Sequence, residues 1–367
     1  MFKKKLILFN SASSVDLVGG SQRSIDYLIV NLHKIYDIYY FCWNFKNNNF
    51  EILKFKNYTL LKIPHPKNNF ISFLKNFPGM IKIFKNLTKK KSILWVHSPL
   101  PFFLFSFLVN KNLEQLYSVH GPLLTEINYT RSRKINSYLL NFIYKIVTHN
   151  SKKIIFNSFY TLTTSMNESE FLHNKNLTIN ELLVDEKYFN KEVRLSNFSK
   201  KNFHNGNFFI IPRRLVKRTG VHLFLKEVIK KKINLKFKFY ITGEGDEEAI
   251  IKDTCNKHKN LYFLGSIDQN LLTFLLKISK GVIIPSIEAE GYCIVAKEAR
   301  LLNKYVIHTN QGGLRESLAG YNLQKIFKFN ELTLKTFQKS KIKFNSNSYF
   351  FEKNTSFSER LKEILII

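Results

Sequence analysis

The stretch Pro285-Ser-Ile-Glu-Ala-Glu-Gly-Tyr-Cys-Ile-Val-Ala-Lys-Glu-Ala-Arg300 is the most specific segment of the sequence. Its pattern predicts a strand that ends at Ile284, a Pro-Ser turn, a Glu-Gly loop and a helix that begins near Cys293. The backbone N–H groups at such a helix start are unpaired and suit a phosphate or sugar oxygen. Because Glu290 and Glu298 straddle this helix start, both carboxylates can accept hydrogen bonds from the hydroxyls of one ligand. The stretch therefore predicts an α/β site for a polyhydroxylated ligand.

Short apolar strands alternate with helix-forming segments on both sides of this stretch. The predicted strands are Leu6–Asn10, Ile93–Val96, Gln115–Val119 and Lys153–Phe156, followed by Phe208–Ile211, Phe237–Ile241, Leu261–Leu264, Gly281–Ile284 and Tyr305–His308. Strands that are separated by helices pair in parallel and form doubly wound sheets. Two such sheets facing each other create a cleft lined by the carboxyl ends of the strands, where ligands bind.

The length of 367 residues and the mass of 43.3 kDa indicate about two domains. A polar segment without periodicity lies between the two series of strands and predicts a linker. We expect an N-terminal domain over residues 1–190, a linker over 191–206, a C-terminal domain over 207–349 and a helical tail over 350–367. The tail is expected to pack back on the N-terminal domain.

The charge of the chain is strongly positive, with 57 Lys and Arg against 27 Asp and Glu and a formal net charge of +30. Nucleic acid binding depends on neutralised phosphates, so this balance raises that possibility. However, the excess is mostly Lys, and Lys, Asn, Ile and Phe are abundant together, as an AT-rich coding bias would produce. The sequence has no Arg-rich cluster or reading helix. We therefore expect no nucleic acid partner, and an anionic membrane leaflet is the better polyanionic candidate.

A basic aromatic segment runs from Phe70 to Lys91 and is interrupted by Pro78-Gly79. Its apolar residues at helical spacing are Phe70, Phe73, Leu74 and Phe77 before this predicted break, and Ile81, Phe84 and Leu87 after it. One interpretation places the segment in an anionic membrane interface, with its lysines among the head groups. The other is an ordinary amphipathic helix that packs on its own sheet and leaves its lysines in solvent.

The cysteines and the apolar runs indicate the cellular compartment of the protein. Cys42, Cys255 and Cys293 are widely spaced, which excludes a disulfide scaffold and a Cys-based zinc ribbon and predicts a reducing compartment. The longest apolar run, near Pro99–Val109, is too short to cross a bilayer. The basic start is followed by too short an apolar stretch for a signal peptide, so a first strand is expected there. These features predict a cytoplasmic protein.

The segment 285–300 closely resembles the Glu-x7-Glu motif of glycosyltransferase family 4, and the resemblance extends over about three hundred residues. Members of this family are retaining enzymes of the GT-B fold, in which two Rossmann-like, doubly wound domains face each other across a cleft. The further segments that are similar to the family's landmarks, in the family's order, are Val18–Arg23, Ser118–Gly121, Ile155–Ser158, Val184–Phe189, Phe209–Gly220, Tyr240–Asp246, Phe263–Ser266 and Gln311–Glu316.

The resemblance implies a hexosyltransferase-type activity. A sugar would move from a nucleotide-diphosphate donor to a hydroxyl of a glycan or lipid-linked acceptor, with retention of configuration. The acceptor would belong to surface polysaccharide or glycoconjugate synthesis at the inner face of the membrane, where the protein would be peripheral. The nucleotide sugar is a co-substrate, so no cofactor is expected. No metal is expected either, because the sequence has no Asp-x-Asp motif and no paired carboxylates with His.

The resemblance also assigns roles to residues. Arg214 would donate bidentate hydrogen bonds to the phosphate oxygens and stabilise the leaving group, because a guanidinium matches the geometry of a phosphate. Glu290 would bind donor-sugar hydroxyls, Glu298 the ribose diol, and His120 would lie near the sugar or the attacking hydroxyl. Gly20 would let the N-domain backbone approach the diphosphate. The full predicted nucleotide-sugar set is Gly20, Arg214, Lys217, Arg218, Glu290, Gly291, Tyr292, Cys293, Ile294 and Glu298, with Arg214, Glu290 and His120 as the catalytic residues.

Two positions depart from the family pattern. The family usually has a second cation, a Lys, directly before the glycine of its Gly-Arg-Leu…Lys-Gly segment, and Thr219 stands there. Lys217 or Arg218 must then reach the phosphates. Cys293 stands where the family most often has Gly, and His97 is interpreted as structural.

Two alternatives to a transferase remain at this level. One is a related enzyme of the same fold, a phosphorylase or a nucleotide-sugar hydrolase with the same donor site. The other is a non-catalytic basic binding protein on a degenerate scaffold. The intact set of Arg214, Glu290 and Glu298 argues against the second.

Overall fold

The computed structural model describes residues 3–16, 19–46, 49–66, 70–122, 137–169, 172, 175–181, 184, 203, 207–338, 361 and 364–365. The chain divides into two compact units, Met1–Leu183 and Val184–Ile367, which we call unit 1 and unit 2. The predicted linker and helical tail lie outside the described residues apart from isolated positions. Their predicted boundaries therefore stay predictions, as does the matching segment from Asp185 to Phe189.

Unit 1 is a single sheet with helices on its faces. Its strands are β1 (Lys4–Phe9), β2 (Tyr36–Asn44), β3 (Glu51–Lys54), β4 (Thr59–Pro64), β5 (Ser92–Val96), β6 (Leu113–Val119), β7 (Lys153–Phe156) and β8 (Leu177–Ile179). Its helices are α1 (Gly20–Leu32), α2 (Phe70–Leu87), α3 (Pro99–Ser106), α4 (Ser137–Asn150) and α5 (Phe159–Glu168).

The strand order of this sheet is β3-β4-β2-β1-β5-β6-β7-β8, and every pair is parallel except β3 with β4. The four strands predicted for the first half are all present. Four strands were not predicted: β2, β3 and β4, which extend the sheet on the far side of β1, and β8 at the other edge. The order reverses between β1 and β5, because the chain winds outward from this pair in both directions.

Helices α2, α3 and α4 pack on one face of this sheet around Phe9, which is stacked on Phe41 with ring centroids 4.7 Å apart. The predicted break at Pro78-Gly79 is wrong, because α2 runs without interruption past both residues. Pro78 is exposed, and the buried residues Phe73, Met80, Phe84 and Leu87 share one face of the helix. Packing of this face on the sheet outweighs the one backbone hydrogen bond that proline removes.

Unit 2 contains a six-stranded sheet and its helices. The strands are β9 (Phe208–Pro212), β10 (Lys238–Thr242), β11 (Leu261–Gly265), β12 (Gly281–Ile284), β13 (Tyr305–His308) and β14 (Gln324–Ile326). The helices are α6 (Val221–Lys230), α7 (Glu248–Lys257), α8 (Gln269–Ile278), α9 (Ile294–Leu301) and α10 (Leu314–Ser317).

All described strand pairs of unit 2 are parallel, in the order β11-β10-β9-β12-β13-β14. This is the doubly wound order 3-2-1-4-5-6, in which ligands bind outside the carboxyl ends of the first and fourth strands. The prediction of parallel, doubly wound sheets is therefore confirmed for both units. Among the described helices of the chain, none combines the length and the apolar character that crossing a bilayer requires.

Candidate active site

The decisive stretch of the sequence lies at the switch point of the unit 2 sheet. Arg213 directly follows β9, and Pro285 directly follows the neighbouring strand β12. The carboxyl ends of both strands meet at one edge of the sheet, which is the place where doubly wound sheets bind ligands. Three loops hold the backbone of this edge in a fixed arrangement.

The first of these loops follows β10 and contains Gly243 and Gly245. Gly243 has a φ of +136°, and a Cβ there would lie 1.9 Å from the carbonyl oxygen of Arg213. Gly245 has a φ of +151°, and its Cβ would lie 2.4 Å from the carbonyl oxygen of Leu215. The N–H of Leu215 in turn donates to the carbonyl oxygen of Glu244 at 2.8 Å. Only glycine permits this approach of the loop to the backbone of Arg213 and Leu215.

The second loop ends at Gly220 and rests on the acidic loop that follows β12. Gly220 has a φ of +68°, and a Cβ there would lie 2.1 Å from the carbonyl oxygen of Pro285. The N–H of Ile287 donates to the carbonyl oxygen of Arg218 at 3.0 Å. The third loop holds the acidic loop from the other side, because the N–H of Gly313 donates to the carbonyl oxygen of Glu290 at 2.7 Å. Four of the motifs matched in the sequence therefore converge on one edge of the sheet.

A buried ion pair lies at the centre of this edge. Nη2 of Arg213 donates a short hydrogen bond to Oε1 of Glu290, and the two side chains are only 9% and 11% exposed. The same nitrogen donates to Oγ of Ser286 at 3.2 Å, and Nη1 of Arg213 donates to Sγ of Cys293 at 3.2 Å. Oγ of Ser286 donates to Glu290 Oε1 at 2.7 Å. One guanidinium thus joins the end of β9, the acidic loop and the residue that begins α9.

The ionisation of Glu290 follows from these contacts. Burial alone would raise the pKa of its carboxyl, but the charge of Arg213, the hydroxyl of Ser286 and the charge of Arg218 together hold that pKa below its usual value. Burial likewise disfavours the charged form of Arg213, and the neighbouring Glu290 more than offsets this, so the pKa of the guanidinium is raised. Both groups are charged at neutral pH.

The other predicted cations surround this pair. Arg214 and Lys217 are exposed, and Arg218 is half-buried and close enough to influence Glu290 electrostatically. Thr219 is buried, and its hydroxyl donates to the carbonyl oxygens of Arg214 and Val216, at 2.7 Å in each case. Thr219 therefore closes the turn that carries Arg214.

The predicted residues at the start of α9 lie where the sequence placed them. Cys293 is the N-cap and Ile294 the first helical residue, and both are buried, as is Tyr292. Gly291 is half-buried in the loop before them. Glu298 lies in the second turn of α9 and is completely buried.

The remaining predicted residues, Gly20 and His120, follow strands β1 and β6 of unit 1. Gly20 begins α1, directly after the extended N-cap Gly19, in the loop that follows β1. A buried ion pair holds this loop, because Nζ of Lys62 in β4 donates to Oδ1 of Asp16 at 2.8 Å. The hydroxyl of Ser14 also donates to Asp26 of α1 at 2.8 Å, and burial raises the pKa of Asp26 to about 6.

The strands β5 and β6 of unit 1 are each followed by a histidine, and the two histidines contact each other. Nδ1 of His97, after β5, and Nε2 of His120, after β6, are 3.1 Å apart, and their rings are stacked. Burial lowers the pKa of His120 to about 4; burial and the neighbouring His120 lower the pKa of His97 well below its usual value. Both rings are neutral at neutral pH, so one nitrogen donates and the other accepts. His97, interpreted from sequence as structural, fixes the orientation of His120.

The sequence interpretation did not assign a function to Arg213 or a partner to His97. Two adjacent arginines gave no indication of which one points inward, since neighbouring residues of an extended backbone project in opposite directions. A signal for His97 was available, because strands of similar character each end in a histidine before a turn. The structure groups Arg213, Cys293 and Glu290 by direct contact in unit 2, and His97 with His120 in unit 1.

Comparisons with known proteins agree with this geometry. Residues 193–362 match the family described as "Glycosyl transferases group 1". An uncharacterized glycosyltransferase of Methanocaldococcus jannaschii is 27% identical over 290 residues, which cover 75% of this chain and 72% of the relative.

Solved structures of glycosyltransferases are similar over most of the chain. Sucrose-phosphate synthase from Thermosynechococcus elongatus has a TM-score of 0.70 at 13% identity and covers 90% of this chain and 88% of its own. The catalytic domain of starch synthase IV from Arabidopsis thaliana has a TM-score of 0.62 at 14% identity, over 86% of this chain and 84% of its own. These likenesses show the fold.

Two Rossmann-like units with an acidic loop and helix start at a switch point define this protein as a glycosyltransferase of the GT-B fold. More particularly, its C-terminal half carries a Glycosyl transferases group 1 domain.

Proposed function

We propose that the protein is a retaining glycosyltransferase of family 4 that moves a sugar from a nucleotide-diphosphate donor to a hydroxyl of a glycan or lipid-linked acceptor. The observation that carries this proposal is the convergence of Glu290, the first turn of α9 and several arginines at the switch point of unit 2. Carboxylates suit sugar hydroxyls, whereas guanidinium groups and free amides suit phosphates. The starch synthase domain with a similar fold is described with ADP and acarbose bound, which supports a donor of this class.

In the proposed reaction, the bond between the anomeric carbon and the diphosphate oxygen breaks. A bond to the acceptor oxygen forms on the same face of the sugar, and the proton of the acceptor hydroxyl leaves with the nucleoside diphosphate. Negative charge develops on the diphosphate, so the main requirement is fixed positive charge beside it. Arg214 is proposed to supply this charge together with Arg218 or Lys217, and Glu290 to hold the sugar hydroxyls. Glu298 is proposed to bind the ribose diol.

The proposed role of His120 is to contact the sugar or the attacking hydroxyl from unit 1. Its ring is neutral and bonded to His97, so it acts as a hydrogen-bonding group of fixed tautomer and not as a cation. Gly20 is proposed to let the loop after β1 approach the diphosphate. No metal is proposed, so transfer should be unchanged when EDTA is added.

The donor is identified by thermal shift with a panel of UDP-, GDP- and ADP-sugars, because a ligand that binds only the folded state raises the melting temperature. Sugar transfer to an acceptor is then compared with release of free sugar, which separates a transferase from a hydrolase. Inorganic phosphate in place of the acceptor tests for a phosphorylase. A protein that binds no member of the panel would be the non-catalytic alternative.

Substitutions test the residue roles. Arg214→Ala should lower kcat by about 10²–10³-fold, the usual loss when a group that stabilises the developing charge is removed. Glu298→Ala should weaken binding of the nucleotide sugar instead. Lys252→Ala is the matched control, because Lys252 is an exposed cation of α7 in the same unit. Unchanged transfer in Arg214→Ala would contradict the proposed site.

We further propose that the protein is cytoplasmic and peripheral on the inner face of the membrane, with an acceptor in surface polysaccharide or glycoconjugate synthesis. The membrane surface would be contacted by the outer sides of α2 and α4. Helix α2 ends shortly before β5 begins, and α4 shortly before β7. Each helix therefore starts at the carboxyl edge of the unit 1 sheet and runs back to the other edge. His120 lies at the same carboxyl edge.

The exposed side chains at these helix starts are apolar. Phe70 and Ile71 of α2 and Leu139 and Phe142 of α4 are all exposed, and Phe103 of α3 contacts Phe142 with ring centroids 6.4 Å apart. The sequence has no Asp or Glu between Glu51 and Glu114, and none within α4. An apolar surface bordered by lysines without carboxylates is complementary to anionic lipid. The inner side of α2 packs on the sheet, and the proposal assigns its outer side to the membrane.

Vesicle sedimentation tests this surface. We expect binding to vesicles of phosphatidylcholine with phosphatidylglycerol, less binding at high salt, and little to phosphatidylcholine alone. The variant Ile71→Ser/Phe142→Ser should lose binding, whereas Leu235→Ser/Ile250→Ser, which removes two exposed apolar residues of unit 2, should keep it. Absence of binding by the wild type at low salt, or equal loss in both variants, would overturn the membrane proposal and leave the transfer chemistry untouched.

A further inference from the structure

We propose that Arg213 positions Glu290 in the donor site and offers its remaining donor, Nε, to the ligand. This inference rests on the proposed function, because it concerns the residue that binds the donor sugar. In the resemblance to the family's Gly-Arg-Leu…Lys-Gly segment, Arg214 and Leu215 match the Arg and Leu, so Arg213 stands where that segment has glycine. Cys293 likewise stands at a glycine position.

These two departures contact each other. Nη1 of Arg213 donates to Sγ of Cys293 at 3.2 Å, and the thiol is buried at the N-cap of α9. The third departure, Thr219, removes a cation from the loop and uses its hydroxyl for backbone hydrogen bonds. Arg213 lies beside the acidic loop and the helix start, where Glu290 balances its charge.

The position of Glu290 depends on the guanidinium. The hydrogen bonds from Arg213 and from Ser286 both end on Oε1 of Glu290, which leaves Oε2, among the residues that the structure describes, for a sugar hydroxyl. A carboxylate with one oxygen fixed by two donors presents the other in a single orientation. Arg213 therefore acts through Glu290 as a positioning residue.

Arg213 also keeps one donor for a ligand. Its Nε is buried and has no hydrogen-bond partner within the described part of the chain. Buried N–H groups are nearly always paired in folded proteins, so an unpaired one beside a predicted ligand site is explained by an oxygen that arrives with the ligand. The donor substrate brings such oxygens in its hydroxyls and its diphosphate.

Kinetics at varied pH test the positioning role. In Arg213→Met, Glu290 stays buried but loses the charge of Arg213, so its pKa should rise. The acid limb of kcat/KM should then move to higher pH by about 1–3 units. At neutral pH we expect kcat/KM to fall by 10-fold or more, and Arg213→Lys to restore part of the activity but not the full orientation of Glu290. The control is Lys252→Met, because Lys252 is an exposed cation of α7 in the same unit.

A second measurement needs no substrate. In the wild type the pKa of Glu290 is lowered on folding, so its stabilisation is present above the unfolded pKa and is lost as pH falls through the folded pKa. In Arg213→Met only Ser286 and Arg218 still oppose the effect of burial, so the pKa of Glu290 rises and this stabilisation above the unfolded pKa is reduced. The difference in melting temperature between the two proteins should therefore widen from pH 4 to pH 7, while that for Lys252→Met stays constant.

The outcomes separate the two proposals. A widening difference in melting temperature and a shifted acid limb support the role of Arg213. A constant difference, or an acid limb that stays in place in Arg213→Met, overturns it. If the wild type transfers no sugar from any donor, the proposed function fails, and the melting measurement still decides whether Arg213 sets the state of Glu290.

Discussion

The two units use different means to hold the loops at the carboxyl edges of their sheets. In unit 2 the loops are fixed mainly by backbone contacts that require glycine, as where Gly220 touches the carbonyl oxygen of Pro285. In unit 1 side chains do this, through the Lys62–Asp16 ion pair and the contact of His97 with His120. Backbone contacts leave recognisable glycine motifs in a sequence, whereas side-chain contacts between distant elements do not. The donor site proposed for unit 2 can therefore be predicted from the sequence more completely than the loops of unit 1.

The largest effect that would test this difference is expected at the ion pair of unit 1. Lys62→Met removes the buried cation 2.8 Å from Asp16, and the remaining partner, Lys46 at 3.4 Å, is 64% exposed and compensates only in part. Breaking a buried pair in this way costs about 3–5 kcal/mol of unfolding free energy. Chemical denaturation followed by circular dichroism measures the loss. Lys152→Met is the control, because Lys152 pairs with Glu114 at the surface, where a pair is worth about 0–1 kcal/mol. Equal losses would show that the loop after β1 does not depend on Lys62.

A matched pair of glycines tests the backbone contacts of unit 2. Gly220 and Gly265 both have a φ of +68°, but a Cβ at Gly265 would meet no atom within 4 Å. Gly265→Ala should cost only the strain of the left-handed backbone, about 1–2 kcal/mol. Gly220→Ala adds a collision with Pro285, so we expect roughly 3 kcal/mol and a marked loss of donor binding. Similar melting temperatures and similar donor affinities for the two variants would contradict the comparison.

The histidine pair predicts a pH dependence of unit 1. The pKa of His120 is lowered to about 4 and that of His97 is also lowered, so the unfolded chain binds more protons than the folded one between about pH 4 and 6.5. The neutral pair therefore stabilises the fold at neutral pH. The free energy of unfolding falls as pH drops through this window, by at most about 1.4 kcal/mol for each pH unit and each histidine. His97→Leu/His120→Leu should flatten the fall in melting temperature, and the exposed His149→Gln should not. An unchanged slope in the double variant would refute the buried, neutral pair.

The smallest effect concerns a glycine that the fold does not require. Gly79 lies in the exposed middle of α2, has no positive φ, and a Cβ there would meet no atom within 4 Å. Gly79→Ala should stabilise the protein by about 0.5–1 kcal/mol, as in other exposed helix interiors. A melting temperature lower than that of the wild type would mean that α2 is interrupted there after all.

Much of the fold was predictable because strands and helices alternate with clear periodicity. The strands Lys153–Phe156, Gly281–Ile284 and Tyr305–His308 were predicted to the residue. The strands β2, β3, β4, β8 and β14 were missed. The strands β3, β8 and β14 are short and partly exposed, whereas β2 and β4 are mostly buried and have no such reason. The uninterrupted α2 was missed because local preference favours a break at Pro78, and only tertiary packing overrides it.

Within the site, the type of group could be predicted and its geometry could not. Glu290 and the start of α9 follow from local sequence signals, which are the same wherever such a segment occurs. The choice between Arg213 and Arg214 depends on how the backbone leaves β9 and on a contact with residues far along the chain. The pairing of His97 with His120 depends on strand register, which no single segment encodes.

The indole of Trp95 lies against His97, with ring centroids 5.3 Å apart, and its Nε1 donates to Ser118 at 2.8 Å. Together with Trp43 of β2 it completes the chain's 2 tryptophans, so both belong to one unit. Intrinsic tryptophan emission is thus a built-in optical probe of that half alone. Compared with calorimetry of the whole chain, it reveals whether the halves melt together or in succession, without any label.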